Sequence, residues 1–478
     1  MAKKAAAFIL VSLPVTGHLP VTIELAKRLM NHDRRVKNIT ILSWRLPFTS
    51  PSSSYSDALS RSHPDIDLVD LPEIEDPPPL DLYTRVAEAY IYRYIIKALP
   101  VLREIISALV SSYHASGSVH VVGLVLDFFS NPLIDVGDDL NIPSYILLTC
   151  SAGFLGLMKY LSERHRRVAS EFDDRSCHEL LSIPGFDRSV PVNVMPPRLF
   201  QKDSHEAYVK LAERFKDAKG ILVNTFTDLE PHAIDYFSRE ENYPPVYVVG
   251  PVVNLENRPN PNIDPVEHDM IMRWLDEQHE SSVVFFCFGS KGVLDSMQVK
   301  EIALGLESCG CRFLWSIRTN PMKDVKPYDL LPDGFMGRVT GRGVVCGWAP
   351  QVEVLSHKAV GGFVSHCGWN SILESLWFGV PIATWPMYAE QHLNAFTMTK
   401  ELGLAVELRL DYVSGHGSVV IAEEISRAVR SVMNGGDSRR EKVKEMAGLA
   451  RKALMDGGSS FSAVSTFLRE LLAVDPSS

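Results

Sequence analysis

Short apolar runs rich in β-branched, aliphatic and aromatic residues alternate with helix-period segments along almost the whole chain. Runs this short, apolar on both faces and each followed by a period-3.6 segment, read as buried parallel strands joined by crossover helices. In the first half the expected strands are AFILVSL (7–13), NITILS (38–43), IDLVDL (66–71), VVGLVLD (121–127), SYILLT (144–149) and ILVNT (221–225). Helical patterns cover 19–30 and 80–112, the second expected to kink at Pro100. The alternation resumes with VVFFCFGS (283–290), RFLWSI (312–317), GVVCGW (343–348), VGGFVS (360–365) and VPIATW (380–385). Two α/β units in one chain follow, separated by GPVVNLENRPNPNIDPVEHD (250–269), where proline and asparagine displace the periodic apolar positions. SSFSAVSTFLRELL (459–472) reads as an amphipathic helix capped by Ser459 or Ser460. There is no internal repeat of fixed period, and PPP at 77–79 is the one low-complexity tract.

The opening MAKKAAAFILVSLPV imitates a secretory leader, but Ser12 and Pro14 interrupt its apolar run and Gly17–His18 stands where a small-residue cleavage site belongs. It reads as the first strand. No other apolar stretch is long enough for a bilayer, so a cytoplasmic protein without membrane insertion is expected. The 478 residues allow two or three domains, and 46% apolar with 22% charged residues is an ordinary globular balance. A formal charge of −10 argues against nucleic acid or an anionic membrane as partner and leaves room for a small ligand held locally. The seven cysteines lack zinc spacing, and Cys309 and Cys311 flank a single glycine, so reduced thiols are expected.

Candidate chemistry concentrates in VSHCGWNSILES (364–375), where a strand ends and a helix begins. Gly368 permits close backbone approach, and the unpaired N–H groups and macrodipole of the first helical turn form an anion site. His366, Asn370 and Ser371 add side-chain donors, so a diphosphate is expected to be held without lysine or arginine. Ser371 followed by Glu374 also fits a capping box that needs no ligand. The surrounding window favours a ligand. Trp348 offers a wall on which a base can stack, Glu374 an acceptor for two ribose hydroxyls, and Glu390 with Gln391 polar groups for a sugar.

The window WAPQVEVLSHKAVGGFVSHCGWNSILESLWFGVPIATWPMYAEQ resembles the 44-residue signature box of the plant secondary-product UDP-glycosyltransferases, matching its fixed positions from Trp348 to Gln391. The resemblance extends over the chain, through the Gly-His pair after the first strand, the linker, the FGS sequence and the terminal helix. It implies an α/β fold of GT-B type, two Rossmann-like α/β/α domains facing each other across a cleft. Residues 1–249 would bind the acceptor, 250–269 link, and 270–458 bind the UDP-sugar, with helix 459–472 packing back on the first domain. By the same resemblance Trp348 and Ala349 face uracil, and Gln351 and Glu374 face ribose. His366, Asn370, Ser371 and Ser290 face the phosphates, and Trp369, Glu390 and Gln391 the sugar. Gln391 favours UDP-glucose as donor.

Transfer to a hydroxyl needs a proton acceptor and stabilisation of the departing diphosphate. His18 follows the first strand and Asp127 closes the fourth at the same carboxyl edge, which suits an imidazole base oriented by a carboxylate; the resemblance assigns both these roles. Alone, His18 would read as capping a glycine turn and Asp127 as a helix cap, a role compatible with catalysis. The resulting expectation is an inverting, metal-independent glucosyltransferase giving a β-glucoside of a phenolic, flavonoid or terpenoid hydroxyl. Another UDP-sugar, C- or N-transfer, or a non-catalytic nucleotide-sugar binder are the alternatives. Asp65 and Asp67 form a DxD string, but within a strand-like run far from the box. Tyr83, Tyr90, Tyr92, Tyr94, Phe128, Phe129, Phe154, Met195 and Phe200 are expected to be mainly core, with a minority lining an apolar acceptor pocket. His357 and His392 are expected to be structural, and the protein a monomer. A nicotinamide oxidoreductase would show GxGxxG after the first strand, where this chain has VTGHLP. A glycosidase would need two opposed carboxylates.

Overall fold

The computed structural model describes residues 5–15, 17–47, 59, 61–115, 119–255, 263–319, 326–415, 419–434, 436 and 438–473. Two parallel sheets carry the fold. The first contains β1 (Ala5–Ser12), β2 (Val36–Ser43), β3 (Ile66–Asp70), β4 (Val119–Asp127), β5 (Ser144–Leu148), β6 (Gly220–Val223) and β7 (Val246–Val248). Its spatial order is β3-β2-β1-β4-β5-β6-β7. The second contains β8 (Val283–Cys287), β9 (Arg312–Ser316), β10 (Gly343–Cys346), β11 (Val360–Ser365), β12 (Ile382–Thr384) and β13 (Ala405–Glu407), in the order β10-β9-β8-β11-β12-β13. In each sheet the winding reverses beside its first strand, between β1 and β4 and between β8 and β11. These are the points where loops diverge and leave a crevice at the carboxyl edge.

The central strands are apolar on both faces because helices cover both, and every residue of β8 and β11 is buried. Several expected strands end early: 283–290 stops at Cys287, 343–348 at Cys346, and 380–385 shrinks to Ile382–Thr384. In each case the residues beyond the ladder peel into loops at the carboxyl edge. β7 and β13 went unrecognised because three residues on a sheet edge carry too little periodicity to register.

Helix α1 (Leu19–His32) follows β1. The expected helix over 80–112 is two helices, Leu80–Arg85 and α2 (Ala87–Ala115), broken at Val86 (φ −147°, ψ 79°), with Pro100 inside α2. Helix α3 (Trp369–Phe378) follows β11 in the second half, as α1 follows β1 in the first.

After the second sheet the chain returns to the first as α4 (Ser459–Ala473). Val464, Phe467, Leu468 and Leu471 are buried in the cluster that also holds Phe8, Tyr145 and Tyr247. The Phe467 ring lies 4.9 Å from that of Tyr145, 5.5 Å from Tyr247 and 6.2 Å from Phe8. The Tyr247 hydroxyl donates to Glu470 at 2.5 Å, and His32 Nε2 meets Ser465 Oγ at 2.6 Å. Neither expected cap forms. Ser459 Oγ has no partner, and Ser460 Oγ donates to the carbonyl of Gly250, fastening α4 to the segment that joins the sheets. Among the described residues no helix is long and apolar enough to cross a membrane.

Candidate active site

A cavity of about 830 Å³ lies between the carboxyl edges of the two sheets and is lined from both. On the first sheet's side, β1 and β4 flank the winding reversal and deliver His18 and Asp127. His18 stands at the head of α1 and its ring caps nothing. Its Nδ1 lies 2.5 Å from Asp127 Oδ2, which leaves Nε2 as the free ring nitrogen. Asp127 Oδ1 accepts from the N–H of Phe129 at 3.0 Å, so the carboxylate caps the 3-10 turn Phe128–Leu133 and orients the imidazole together. Burial pushes the His18 pKa down, but the charge of Asp127 and the hydrogen bond to it, with a contribution from Glu390, outweigh that and raise it above its ordinary value. The imidazolium formed by taking a proton is therefore stabilised in place.

On the other side the mouth of α3 opens into the cavity. Trp369 is the first helical residue and Gly368 the cap, with no side-chain cap bond, so Ser371 lies inside the first turn and the capping-box alternative does not form. The first intrahelical bond runs from Ile372 N to Gly368 O. The amides of the preceding residues are thus the unpaired donors of the helix start. Cys367 reaches this turn at φ 62°, a strained conformation held by Ser365 Oγ, which accepts from Cys367 N at 3.1 Å. His366 Nε2 is wedged between Gly289 and Gly368: a Cβ on either would approach it to 2.5 or 2.6 Å. Burial lowers the His366 pKa to about 4, so the ring is neutral and can donate without adding charge.

Two helix-mouth residues reach across the cleft. Asn370 Nδ2 donates to the carbonyl of Gly17 at 3.0 Å, beside His18, and its Oδ1 has no partner. Trp369 Nε1 donates to Asn224 O at 2.7 Å, and the residue is buried. The indole N–H is committed to the opposite half, which leaves Trp369 its backbone N–H for a ligand.

Gln351, Ser371 and Glu374 form one network. Gln351 Nε2 donates to Ser371 Oγ at 2.8 Å and to Glu374 Oε2 at 2.6 Å. Burial raises the Glu374 pKa to about 7, against the lowering effect of that hydrogen bond. Trp348 is half-buried beside Ala349, and the Arg318 guanidinium lies 3.6 Å from its ring centroid. Ser290 lines the cavity after β8. Glu390 follows Ala389, which is held at φ 52°, and its pKa is raised by burial. Gln391 turns its carbonyl oxygen inward to accept from the N–H of Met387 (3.0 Å) and Tyr388 (3.1 Å), so its amide nitrogen remains the donor.

Every site residue expected from the sequence except Asp127 lines this cavity, and Asp127 sits directly behind His18. Arg318 and Lys291 line the cavity as well, although the sequence expectation was of a diphosphate held without lysine or arginine; the Arg318 guanidinium is laid on the Trp348 ring. Lys291 Nζ donates to Tyr83 of the opposite half at 3.1 Å. Glu88 and Tyr208 also line it and were missed. No local motif marked these four; they arrive through loops and helices distant in sequence. Phe128, Phe129 and Phe154 line the cavity, whereas Met195 and Tyr90 are packed in the core and Phe200 lies tilted against Phe172, ring centroids 5.6 Å apart. Tyr94 donates to Arg45 O at 2.7 Å, and Tyr92 lies under Lys210. Asp65 and Asp67 lie at or just before edge strand β3, outside the cavity. His357 pairs with Asp276 and His392 with the Tyr412 carbonyl. All seven cysteines are free.

Comparison with known proteins agrees with this geometry. Residues 205–452 match the family model described as UDP-glucoronosyl and UDP-glucosyl transferase. The chain is 60% identical over 470 residues to flavonol 3-O-glucosyltransferase UGT71C4 of Arabidopsis thaliana, with 98% of each chain covered. It is 56% identical over 471 residues to flavonol 3-O-glucosyltransferase UGT71C1 of the same plant, covering 98% of this chain and 97% of that one. Among solved structures, Medicago truncatula UGT71G1 complexed with UDP-glucose superimposes with a TM-score of 0.91 at 46% identity, covering 98% of this chain and 99% of that one. A UGT transferase from Siraitia grosvenorii in complex with UDP gives a TM-score of 0.85 at 40% identity, covering 98% of this chain and 100% of that one.

Proposed function

Since the chain belongs to the plant UDP-glycosyltransferase family and has its GT-B fold, we propose that it moves glucose from UDP-glucose to a hydroxyl of a small, largely apolar acceptor such as a flavonol, with inversion to a β-glucoside. The observation that carries this reading is the His18–Asp127 pair, held across one cavity from the amide-rich mouth of α3. The acceptor hydroxyl gives its proton to His18 Nε2 as its oxygen attacks the anomeric carbon. The C–O bond to the diphosphate breaks, and the negative charge arriving on the leaving oxygen meets the N–H groups of α3, His366 and Ser290. Attack from the side opposite the leaving group inverts the centre.

In this reading the uracil stacks on Trp348 near Ala349, and the ribose hydroxyls meet the Gln351–Glu374 pair. Glu390, the Gln391 amide and the Trp369 backbone N–H face the sugar. Asn370 serves chiefly by joining the α3 mouth to the loop carrying His18. Phe128, Phe129 and Phe154 give the acceptor its apolar walls, with Glu88 and Tyr208 as polar points among them. The division into an acceptor domain (1–249 with the returning helix), a linker (250–269) and a donor domain (270–458) belongs to the same proposal.

The test is a panel of UDP-sugars against flavonols and simpler phenols, with products identified by mass and anomeric coupling. A β-glucoside formed best from UDP-glucose is the expected result; an α-linked product, or preference for another UDP-sugar, overturns that part of the reading. Replacing His18 with alanine should lower kcat by about 10²- to 10⁴-fold while UDP affinity, measured by calorimetry, stays within about twofold of the parent. Turnover near the parent's would remove His18 as the base.

A further inference from the structure

Arg318 lies just beyond β9, and its side chain joins the three loops that leave the second sheet on one side of its winding reversal. Nε donates to the carbonyl of Gly289 at 3.1 Å, in the loop after β8, and Nη1 donates to the carbonyl of Gly347, in the loop after β10. Between these anchors the guanidinium carbon lies 3.6 Å from the centroid of the Trp348 ring. Only 8% of the residue is exposed. A planar cation fixed by two carbonyls and laid on an indole does two things: it fills one aromatic face, and it stops the ring from rotating out of the cavity wall. Trp348 still lines the cavity, so its other face is the one left to a ligand. A free tryptophan on a loop would lose rotamer freedom on stacking with a base, and Arg318 removes that cost beforehand.

We infer that Arg318 is a positioning residue for the nucleotide base: it holds the Trp348 indole as a ready stacking platform and ties that platform to the loop bearing Ser290. The inference rests on the donor-site reading above. It separates Arg318 from a phosphate-binding cation, because a platform holder affects every uracil-bearing ligand alike, whatever its charge.

The experiment measures binding of uridine, UMP and UDP by calorimetry to the parent protein and to the Arg318→Met, Arg318→Lys and Trp348→Ala variants and the Trp348→Ala/Arg318→Met double variant. Arg318→Met should weaken all three ligands by the same factor, roughly tenfold. Arg318→Lys should do nearly as badly, since it keeps the charge but loses the plane and the fork. In the Trp348→Ala background, Arg318→Met should have little further effect. In turnover, KM for UDP-glucose should rise in Arg318→Met with kcat near the parent value. The inference is overturned if UDP alone weakens while uridine does not, if lysine restores full affinity, if the two substitutions add independently, or if no affinity changes. Thermal unfolding of each variant identifies any that fails to fold, and the lysine variant, which preserves charge and length, then carries the comparison. A parent protein that binds none of the three ligands would refute the donor-site reading itself, a failure visible before any variant is compared.

Discussion

As the proposed base, the imidazole at position 18 works only if its proton traffic matches the pH. The Asp127 charge and hydrogen bond raise its pKa against the lowering effect of burial, so kcat/KM should fall on the acid side through a pKa shifted upward from the ordinary histidine value, as protonation removes the proposed base. Asp127→Asn removes that charge. The acid limb should then move to lower pH, while the plateau drops at least ~10²-fold because the ring is no longer held in its tautomer; a pH–rate profile of both proteins checks the two effects at once. Glu374 makes a second prediction. Burial raises its pKa to about 7, so near neutrality it holds a proton far more readily than an ordinary carboxylate, and the proposed ribose hydroxyls, by donating to it, favour the carboxylate. UDP affinity should be greatest above pH 7 and decline below it, by up to about tenfold per unit. Glu374→Gln should bind more weakly and lose that slope, as calorimetry across pH 5.5 to 8.5, a range of about three units, would show. The positions of Trp348, His366, Ser371, Glu390 and Gln391 were readable because each sits at a fixed offset from a strand end. How they are spent was not. That Gln391 turns its carbonyl inward, that Asn370 reaches Gly17, and that Arg318 backs Trp348 all depend on loops brought together by the sheet.

At the level of elements, the apolar runs announced the central strands well, since strands buried on both faces are nearly continuous in hydrophobic character. They failed where burial is one-sided or brief, as in β7 and β13, and where strand ends give way to functional loops, as at Cys287 and Cys346. The break at Val86 carried no proline or glycine to signal it, whereas Pro100, which did, leaves α2 continuous. Helix α4 was legible as a helix from its apolar stripe, but its target was not. Its hold on the first sheet centres on Phe467, 1% exposed among Phe8, Tyr145 and Tyr247. Phe467→Ala should cost about 3 to 5 kcal/mol and lower the melting temperature by roughly 3 to 10 °C. Because α4 lies outside the cavity, kcat/KM measured well below the transition should stay close to the parent's. Calorimetry and steady-state assays on one preparation would reveal a contrary outcome.

For the whole molecule, bonds that join the two halves include Trp369 to Asn224, Asn370 to Gly17, Lys291 to Tyr83, and Glu401 to the N–H groups of Asp187 and Arg188. In the proposed reaction these set the distance between His18 and the donor. Trp369→Phe keeps an aromatic ring, though a smaller one, and leaves the Asn224 carbonyl without that donor. It should lower kcat by about tenfold or more, because small errors of approach are costly, while UDP affinity changes by less than about twofold; an affinity loss matching the rate loss would show that Trp369 acts on the donor alone. The return of α4 to the opening sheet has a consequence for biosynthesis. The last of Phe8, Tyr145 and Tyr247 is made at residue 247 of 478, and α4 packs on them only when residues 459–473 leave the ribosome, so the first half waits, with part of a greasy face bare, for about half of translation. A fragment stopped at the linker would expose that face permanently and should aggregate on expression, and supplying the missing helix as a peptide should restore its solubility.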